Sequence, residues 1–149
     1  MCEEYKKLII KDIKPQNWLK AAHESIDIAE FMWSKKQPYS KIPSAKICYW
    51  VHISISQYLE LYYMFKDGTV VMNIDTNVLL KTLYECIAHD ETFKTIQADC
   101  EIIALYPLEV TYPGGIKIKA SDAKRTLRAG KRIEKFIKLK LEPLIKEGV

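Results

Sequence analysis

Apolar residues recur every three or four positions in five successive segments of the chain, which is the period of an amphipathic α-helix. In the first segment this spacing joins Trp18, Ala22, Ile26, Ala29 and Trp33. Short groups rich in Pro, Gly, Asn and Asp separate the segments and favour turns. The pattern predicts five helices. The first covers residues 15–36 and the second 44–67; the third ends near residue 89, the fourth covers 91–105, and the last ends near 142.

Residues that favour helix ends set the predicted boundaries. Pro15 suits the first turn of a helix, because its missing N–H would have no partner there. The predicted N-caps are Ser44 for the second helix, Asp75 or Thr76 for the third, and Ser121 or Asp122 for the last. Pro143 is expected to halt or kink the last helix.

Residues 51–56 alternate between apolar and polar types and could form a strand, but the helical spacing continues on both sides of them. The chain has only 5 Gly and 6 Pro in 149 residues, which is too few for the many turns of an all-β fold. We therefore predict an all-α fold, an up-and-down bundle of four to five helices. Residues 1–149 are expected to form a single domain.

No run of residues approaches the roughly 18 apolar positions that a membrane span needs. The start of the chain also lacks the apolar core of a secretory signal. We therefore expect a cytoplasmic protein without membrane contacts. The four cysteines, Cys2, Cys48, Cys86 and Cys100, show no metal-binding spacing and are interpreted as small buried residues.

The positive charge of the chain is concentrated near its end. Residues 116–149 carry eleven Lys and Arg against four Asp and Glu, net +7, whereas the first 115 carry twelve against fifteen, net −3. On a helical projection one arc of the last helix holds Lys124, Arg128, Lys131, Lys135 and Lys138, and it is extended by Arg125 and Arg132. The candidate nucleic-acid- or phosphate-binding residues are Lys124, Arg125, Arg128, Lys131, Arg132 and Lys135. A solvated lysine-rich face and a docking surface for an acidic protein remain open as alternatives.

Signatures of catalysis are missing from the sequence: it has no phosphate-binding loop, dinucleotide fingerprint, nucleophile elbow or zinc-protease motif. His23 with Asp27, and Glu85 with His89, have the spacing of helical pairs, but a metal site needs at least three ligands. We therefore predict no catalytic residue, no metal and no cofactor. Glu134 falls on the apolar arc of the last helix, where we expect it to pair with a basic group or lie at a subunit interface.

Four short motifs, in their order and spacing, resemble those of the HEPN-domain family, small helical bundles associated with minimal nucleotidyltransferases. They are Trp18-Leu19-Lys20-Ala21-Ala22, Gln57-Tyr58-Leu59-Glu60, Thr76-Asn77-Val78-Leu79 and Tyr112-Pro113-Gly114. The resemblance covers most of the chain, from about Trp18 to Leu141. It adds the loop residues Thr111, Tyr112 and Pro113 to the candidate site.

The resemblance implies a homodimer that partners a nucleotidyltransferase-type protein, as in toxin–antitoxin modules. Catalytic members of the family cleave RNA with an Arg followed four to six residues later by a His. Here every histidine precedes Arg125, the first arginine, so that motif is absent. Thr111 and Asn77 also replace the family's loop arginine and helix-three histidine. The chain is thus expected to be a non-catalytic, HEPN-like binding subunit.

Two other functions compete with this interpretation. One is an RNA- or nucleotide-binding module that uses the basic helix together with the Tyr-Pro loop, whose rings could stack on bases. The other is a ribonuclease with an atypical site, in which His52 or His89 meets Arg125 or Arg128 in space. Aromatic residues on the second helix could add an interface, although most of them are expected in the core or on ordinary surface: Tyr49, Trp50, Tyr58, Tyr62 and Tyr63.

Overall fold

The computed structural model describes residues 14–35, 43–67, 78–106 and 118–147. These residues form five α-helices and no strand, which confirms the predicted all-α helical bundle. The helices are α1 (Pro15–Ser34), α2 (Ser44–Asp67), α3 (Val78–His89), α4 (Gln97–Ala104) and α5 (Ala120–Glu147), and a 3₁₀ segment (Glu91–Ile96) leads directly into α4.

Helix α2 occupies the centre of the bundle. It packs against each of the other four helices, most extensively against α1 and α5. Residues 51–56, whose alternation resembled a strand, are helical within it, and Ile55, Tyr58 and Leu59 are fully buried. Removing side chains of this size from water stabilises a fold by roughly 1.5 to 3 kcal/mol each. The sequence spacing on both sides of the segment was therefore the better guide to its structure.

Gly130 allows α5 to approach α2 and α1 closely. A Cβ atom at this position would lie 2.6 Å from Cγ1 of Val51 and 3.1 Å from Cδ1 of Ile26. Both neighbours are fully buried, so neither can move into solvent. Glycine in the interior of a helix costs about 1 kcal/mol relative to alanine. Because Gly130 has no side chain, Val51 and Ile26 pack directly against the backbone of α5, and this packing offsets the cost.

Several helix ends differ from the prediction. Ser44 is the first residue of α2 rather than its cap, and the Pro43 carbonyl accepts the Ile47 N–H at 3.0 Å. Helix α5 begins one or two residues before the predicted caps, and Oδ2 of Asp122 accepts the Lys119 N–H at 2.9 Å. This bond is the backward half of a capping box. Pro143 does not end the helix, which continues to Glu147.

Three of the four cysteines are buried as predicted: Cys48, Cys86 and Cys100 are free thiols in the core. Burial raises the pKa of Cys48 to about 11 and that of Cys86 to about 12. A thiol with so high a pKa is a poor nucleophile at neutral pH.

Some predicted features lie outside the described residues. They include Cys2, the caps Asp75 and Thr76, and the loop residues Thr111, Tyr112 and Pro113. Among the described helices, none combines the length and the apolar character that crossing a bilayer requires.

Candidate binding surface on the last helix

The outward face of α5 carries three exposed cations, Lys124, Arg128 and Lys135. Their spacing of four and seven residues places them within about 40° of one another on a helix of 100° per residue. The row is about 16 Å long at a rise of 1.5 Å per residue. None of the three makes a hydrogen bond or ion pair with another described residue.

Two other predicted binding residues, Arg125 and Arg132, are engaged on the α4 side of α5. Arg132 binds Asp99 through two nearly parallel bonds, Nε to Oδ2 at 3.0 Å and Nη2 to Oδ1 at 2.7 Å. Such a bidentate pair is among the stronger hydrogen-bonded contacts in proteins. Arg125 donates from Nη2 to the Tyr106 hydroxyl at 2.9 Å. Arg132 therefore connects α5 to the first turn of α4, and Arg125 connects α5 to the residue that follows α4 by two positions.

The sixth predicted residue, Lys131, is engaged on the α1 side. Its Nζ lies 3.2 Å from Oε2 of Glu30 on α1 and 3.3 Å from Oε1 of Glu134 on its own helix. Burial alone would lower the pKa of Lys131, but the two carboxylates outweigh burial and raise it. The basic stripe of the sequence is thus divided: three cations bind groups on neighbouring parts of the bundle, and three bind no other described residue.

Glu134 is the centre of a polar cluster that joins α1, α2 and α5. It is buried, and its Oε2 accepts a 2.6 Å hydrogen bond from the Tyr58 hydroxyl. The same oxygen lies 3.2 Å from Nδ1 of His23 and 3.7 Å from Nζ of Lys138. On the other side of its ring, His23 reaches Oδ2 of Asp27 from Nε2 at 3.1 Å. The expected pairing of Glu134 with basic groups is therefore confirmed.

The contacts of Glu134 keep it ionised. Burial on its own would raise the pKa of this carboxyl group, but the hydrogen bonds from Tyr58 and His23 and the charges of Lys138 and Lys131 lower it overall. Burial and the adjacent carboxylate both raise the pKa of the Tyr58 phenol. A buried carboxylate with three protein donors, here Tyr58, His23 and Lys131, accepts hydrogen bonds and stabilises the fold.

The cluster does not form a metal site. Asp27 and Glu134 lie on opposite sides of the His23 ring, so the three groups cannot converge on one ion. Across the described ranges, no group of three or more His, Cys, Asp or Glu residues has an arrangement suited to a metal.

The two other histidines are placed differently. His52 is 3% exposed, and its Nδ1 has no hydrogen bond within the described part of the chain. Burial lowers its pKa to about 4, against a smaller opposing effect of the Ile103 backbone. His89 is exposed and packs its ring edge-on at 6.3 Å from that of Tyr63. No histidine is hydrogen-bonded to an arginine among the described residues.

Gln57, in the motif Gln57-Tyr58-Leu59-Glu60, connects α1 to α2. Its backbone carbonyl oxygen accepts a hydrogen bond from the Trp18 indole N–H at 2.8 Å, and its side-chain Oε1 accepts one from the Ser25 hydroxyl at 3.0 Å. Tyr58 binds Glu134 as described above, and burial raises the pKa of Glu60 to about 7. The residues that carry the sequence resemblance at this point hold helices together.

Two depressions mark the surface beside these residues. A groove of about 320 Å³ lies between the start of α1 and the end of α5, where Leu19, Leu141 and Ile145 line it with the stems of lysines. A second, shallower depression of about 480 Å³ lies on the outward face of α1. It is lined by Glu24, Asp27, Ile28 and Phe31.

The helical spacing marks Glu134 as a charged residue in an apolar arc but does not predict its partners. Tyr58 and His23 are 76 and 111 residues away along the chain, and no local pattern connects them to it. The candidate loop residues Thr111, Tyr112 and Pro113 are outside the described residues, so their position relative to α5 stays a prediction. No protein-family model, curated protein or solved structure matches the chain.

Proposed function

We propose that this protein is a non-catalytic, HEPN-like binding subunit that docks an acidic protein partner on the outward face of α5. The observation that carries the proposal is the row of three exposed cations, Lys124, Arg128 and Lys135, none of which pairs with another residue that the structure describes. Like charges on one helix face repel each other, at a cost of a few tenths of a kcal/mol per pair. An acidic partner would relieve this repulsion and gain three ion pairs.

An exposed leucine favours a protein partner over RNA. Leu139 is 67% exposed and follows Lys135 by one helical turn, beside the row of cations. Apolar contacts within a polar and charged rim are typical of protein interfaces. Binding of phosphates alone would need only the cations. The resemblance to HEPN proteins makes a nucleotidyltransferase-type protein the partner class that we propose.

The Glu134 cluster supports a structural, rather than catalytic, use of the titratable groups. Its carboxylate, imidazole and lysines bind one another, and Tyr58 closes the cluster from the side of α2. A general acid or base must exchange protons with a substrate within hydrogen-bond reach. Glu134 is 5% exposed and reaches only protein donors. His52 is still less exposed, so neither residue presents a proton to a bound molecule.

The proposal is tested with a charge reversal on α5. The variant Lys124→Glu, Arg128→Glu, Lys135→Glu should lose binding to a purified nucleotidyltransferase-type protein that the unmodified chain binds, measured by calorimetry in dilute salt. Lys81→Glu, which changes an exposed lysine on α3, should bind as the unmodified protein does. Unaltered far-ultraviolet circular dichroism would show that both variants fold.

The same variants separate protein docking from RNA binding. If single-stranded RNA contacts all three cations, log K should fall with log salt at a slope of about −2, and each reversal should flatten the slope by about 0.7. Such a result would favour the RNA-binding module. Transferase binding that survives the triple reversal would refute the proposed docking face.

A further inference from the structure

The outward face of α5 leads from the row of three cations to the apolar groove beside α1. On a helix of 100° per residue, Glu142 and Lys146 lie within about 40° of that row. Both residues also line the groove, and Nζ of Lys146 lies 3.3 Å from Oε1 of Glu142. The row and the groove therefore belong to one surface, and the centre of the groove is level with Glu142, about two turns beyond Lys135.

This surface is positive as a whole. Among the described residues of the stripe Glu142 is the one acid, and the lysine beside it balances its charge. The acids on the adjoining edge of α1 contact basic side chains, Glu30 with Lys131 and Asp27 with His23. The three cations of the row therefore remain uncompensated by the described residues, and an acidic segment is their complement.

The groove suits one large apolar side chain. Leu19, Leu141 and Ile145 line it, and its volume of about 320 Å³ is at the lower end of the roughly 300 to 1,000 Å³ of small-molecule pockets. Aromatic residues that fill pockets are the usual anchors of protein interfaces. Tryptophan fits best, because its ring matches the apolar lining, its N–H can bond to Glu142, and its face attracts the ammonium of Lys146.

The spacing along α5 indicates the backbone conformation of the partner segment. Arg128, Lys135 and the groove lie about 6, 16 and 27 Å from Lys124, at a rise of 1.5 Å per residue. Along a strand these levels are about 2, 5 and 8 residues, and the fifth residue would point to the opposite face. Along a second helix they are about 4, 11 and 18 residues, all within roughly 40° of one another. A helix therefore presents every group to α5.

We propose that the partner segment is an acidic α-helix that lies along α5 and inserts one tryptophan into the groove between α5 and α1. Its carboxylates meet Lys124, Arg128 and Lys135, and an apolar residue one turn from the tryptophan covers Leu139, which is 67% exposed. The inference rests on the proposed function for the charged part of this contact. The groove adds a part that salt does not screen, because apolar burial needs no charge.

The test uses two synthetic helical peptides of about 20 residues as probes. With alanine and glutamine elsewhere, the first has glutamates at positions 1, 5 and 12, leucine at 16 and tryptophan at 19, which repeats the spacing along α5 at about 1.5 Å per residue. The second has the reverse order, for the opposite helix direction. Fluorescence anisotropy of the labelled peptides measures binding to the full chain.

One of the two peptides should bind in dilute salt. Replacing its tryptophan by alanine should weaken binding about tenfold or more, as expected when one large apolar side chain is no longer buried. Both forms should bind less tightly at about 200 mM salt than at about 25 mM, but the ratio of their affinities should stay the same. A tryptophan form that binds no better than the alanine form would overturn the proposal.

A pair of substitutions on α5 tests the groove itself. Ile145→Asn makes one wall polar without a change of charge, and it should weaken the tryptophan peptide about fivefold to tenfold and leave the alanine peptide unchanged. Leu144→Asn is the matched control, since Leu144 is also half-buried on α5 but does not line the groove. Far-ultraviolet circular dichroism checks that both variants fold. Equal effects of Ile145→Asn on the two peptides would contradict the inserted tryptophan.

Lys135→Glu separates a failure of this inference from a failure of the proposed function, with Lys81→Glu as the control for net charge. It should weaken both peptides in dilute salt. If it does so and the tryptophan makes no difference, the anchor in the groove fails and the basic face stands. If the tryptophan matters but Lys135→Glu changes neither affinity, the anchor stands and the basic face fails. No binding of either peptide at roughly 1 mM would overturn the inference, while the proposed function keeps its own test with the transferase-type protein.

Discussion

The hydrogen bond from Tyr58 to Glu134 gives the sharpest test of what holds the bundle together. Tyr58→Phe removes one hydroxyl group and leaves a ring that still fills the core. The 2.6 Å bond ends on a buried, ionised carboxylate, and bonds to charged groups contribute about 1.5 to 3 kcal/mol. We therefore expect a loss of about 2 kcal/mol in the free energy of unfolding at pH 7, or roughly 4 to 8 °C in Tm for a chain of this length.

Tyr62→Phe is the matched control, one turn further along the same helix. Tyr62 is also buried, but its hydroxyl makes no hydrogen bond to another described residue, so its removal should change the free energy of unfolding by less than about 0.5 kcal/mol. Urea unfolding followed by circular dichroism measures both variants. Equal losses for Tyr58→Phe and Tyr62→Phe would refute the reasoning, because ring packing rather than the hydroxyl would then account for the effect.

The same substitution should change the response to acid. Because the folded-state pKa of Glu134 lies below its ordinary value of 4.5, the carboxylate stabilises the fold above that pH, and this stability is lost as the pH falls through the lowered pKa. Tyr58→Phe removes a donor that lowers the pKa. The midpoint of acid unfolding should therefore move to higher pH in Tyr58→Phe and stay in place in Tyr62→Phe.

Three further substitutions test buried groups elsewhere in the bundle. His52 has a folded-state pKa of about 4, against 6.5 in the unfolded chain. Between these pH values the unfolded chain binds one more proton than the folded protein does. The free energy of unfolding therefore falls by about 3 kcal/mol as the pH drops from 6.5 to 4. His52→Gln should remove that part of the slope in urea unfolding series, and an unchanged slope would contradict it. The pKa shift of Glu60 has the opposite sign, because its folded-state pKa of about 7 lies above the ordinary 4.5. Its contribution to the free energy of unfolding is therefore complete below pH 4.5 and is lost as the pH rises through 7. Glu60→Gln should stabilise the protein at pH 8 by up to about 3 kcal/mol and have little effect at pH 4. Gly130→Ala should lose about 1 to 2 kcal/mol despite its gain in helix propensity, and a double-mutant cycle with Val51→Ala should show a coupling of 1 kcal/mol or more.

The fold was predictable because it depends mainly on repeating apolar contacts. Ala22, Ile26 and Ala29 were placed on one face of the first helix from their spacing alone, and all three are fully buried. Helix ends were less predictable. A helix can begin at Ser44 or continue through Pro143 when neighbouring helices contribute enough packing, and local preference then decides little.

The candidate site was predictable in composition but not in detail. Helical spacing placed six cations on one side of α5, yet it could not tell Lys131, which binds Glu30, from Lys135, which binds no described residue. That difference depends on which helices lie on either side of α5, and their positions follow from the whole packing. A charged residue such as Glu134 in an apolar arc predicts a buried ion pair but not the identity of its partners.

The separation of His23 and Glu134 along the chain has a consequence for biosynthesis. A ribosome adds about 5 to 20 residues per second, so the 111 positions between the two groups take roughly 6 to 22 s to synthesise. Throughout this interval the apolar face of α1 has no last helix to cover it, and the same holds for α2 once residue 67 has been added. The nascent chain thus exposes apolar surface for far longer than a helix takes to form.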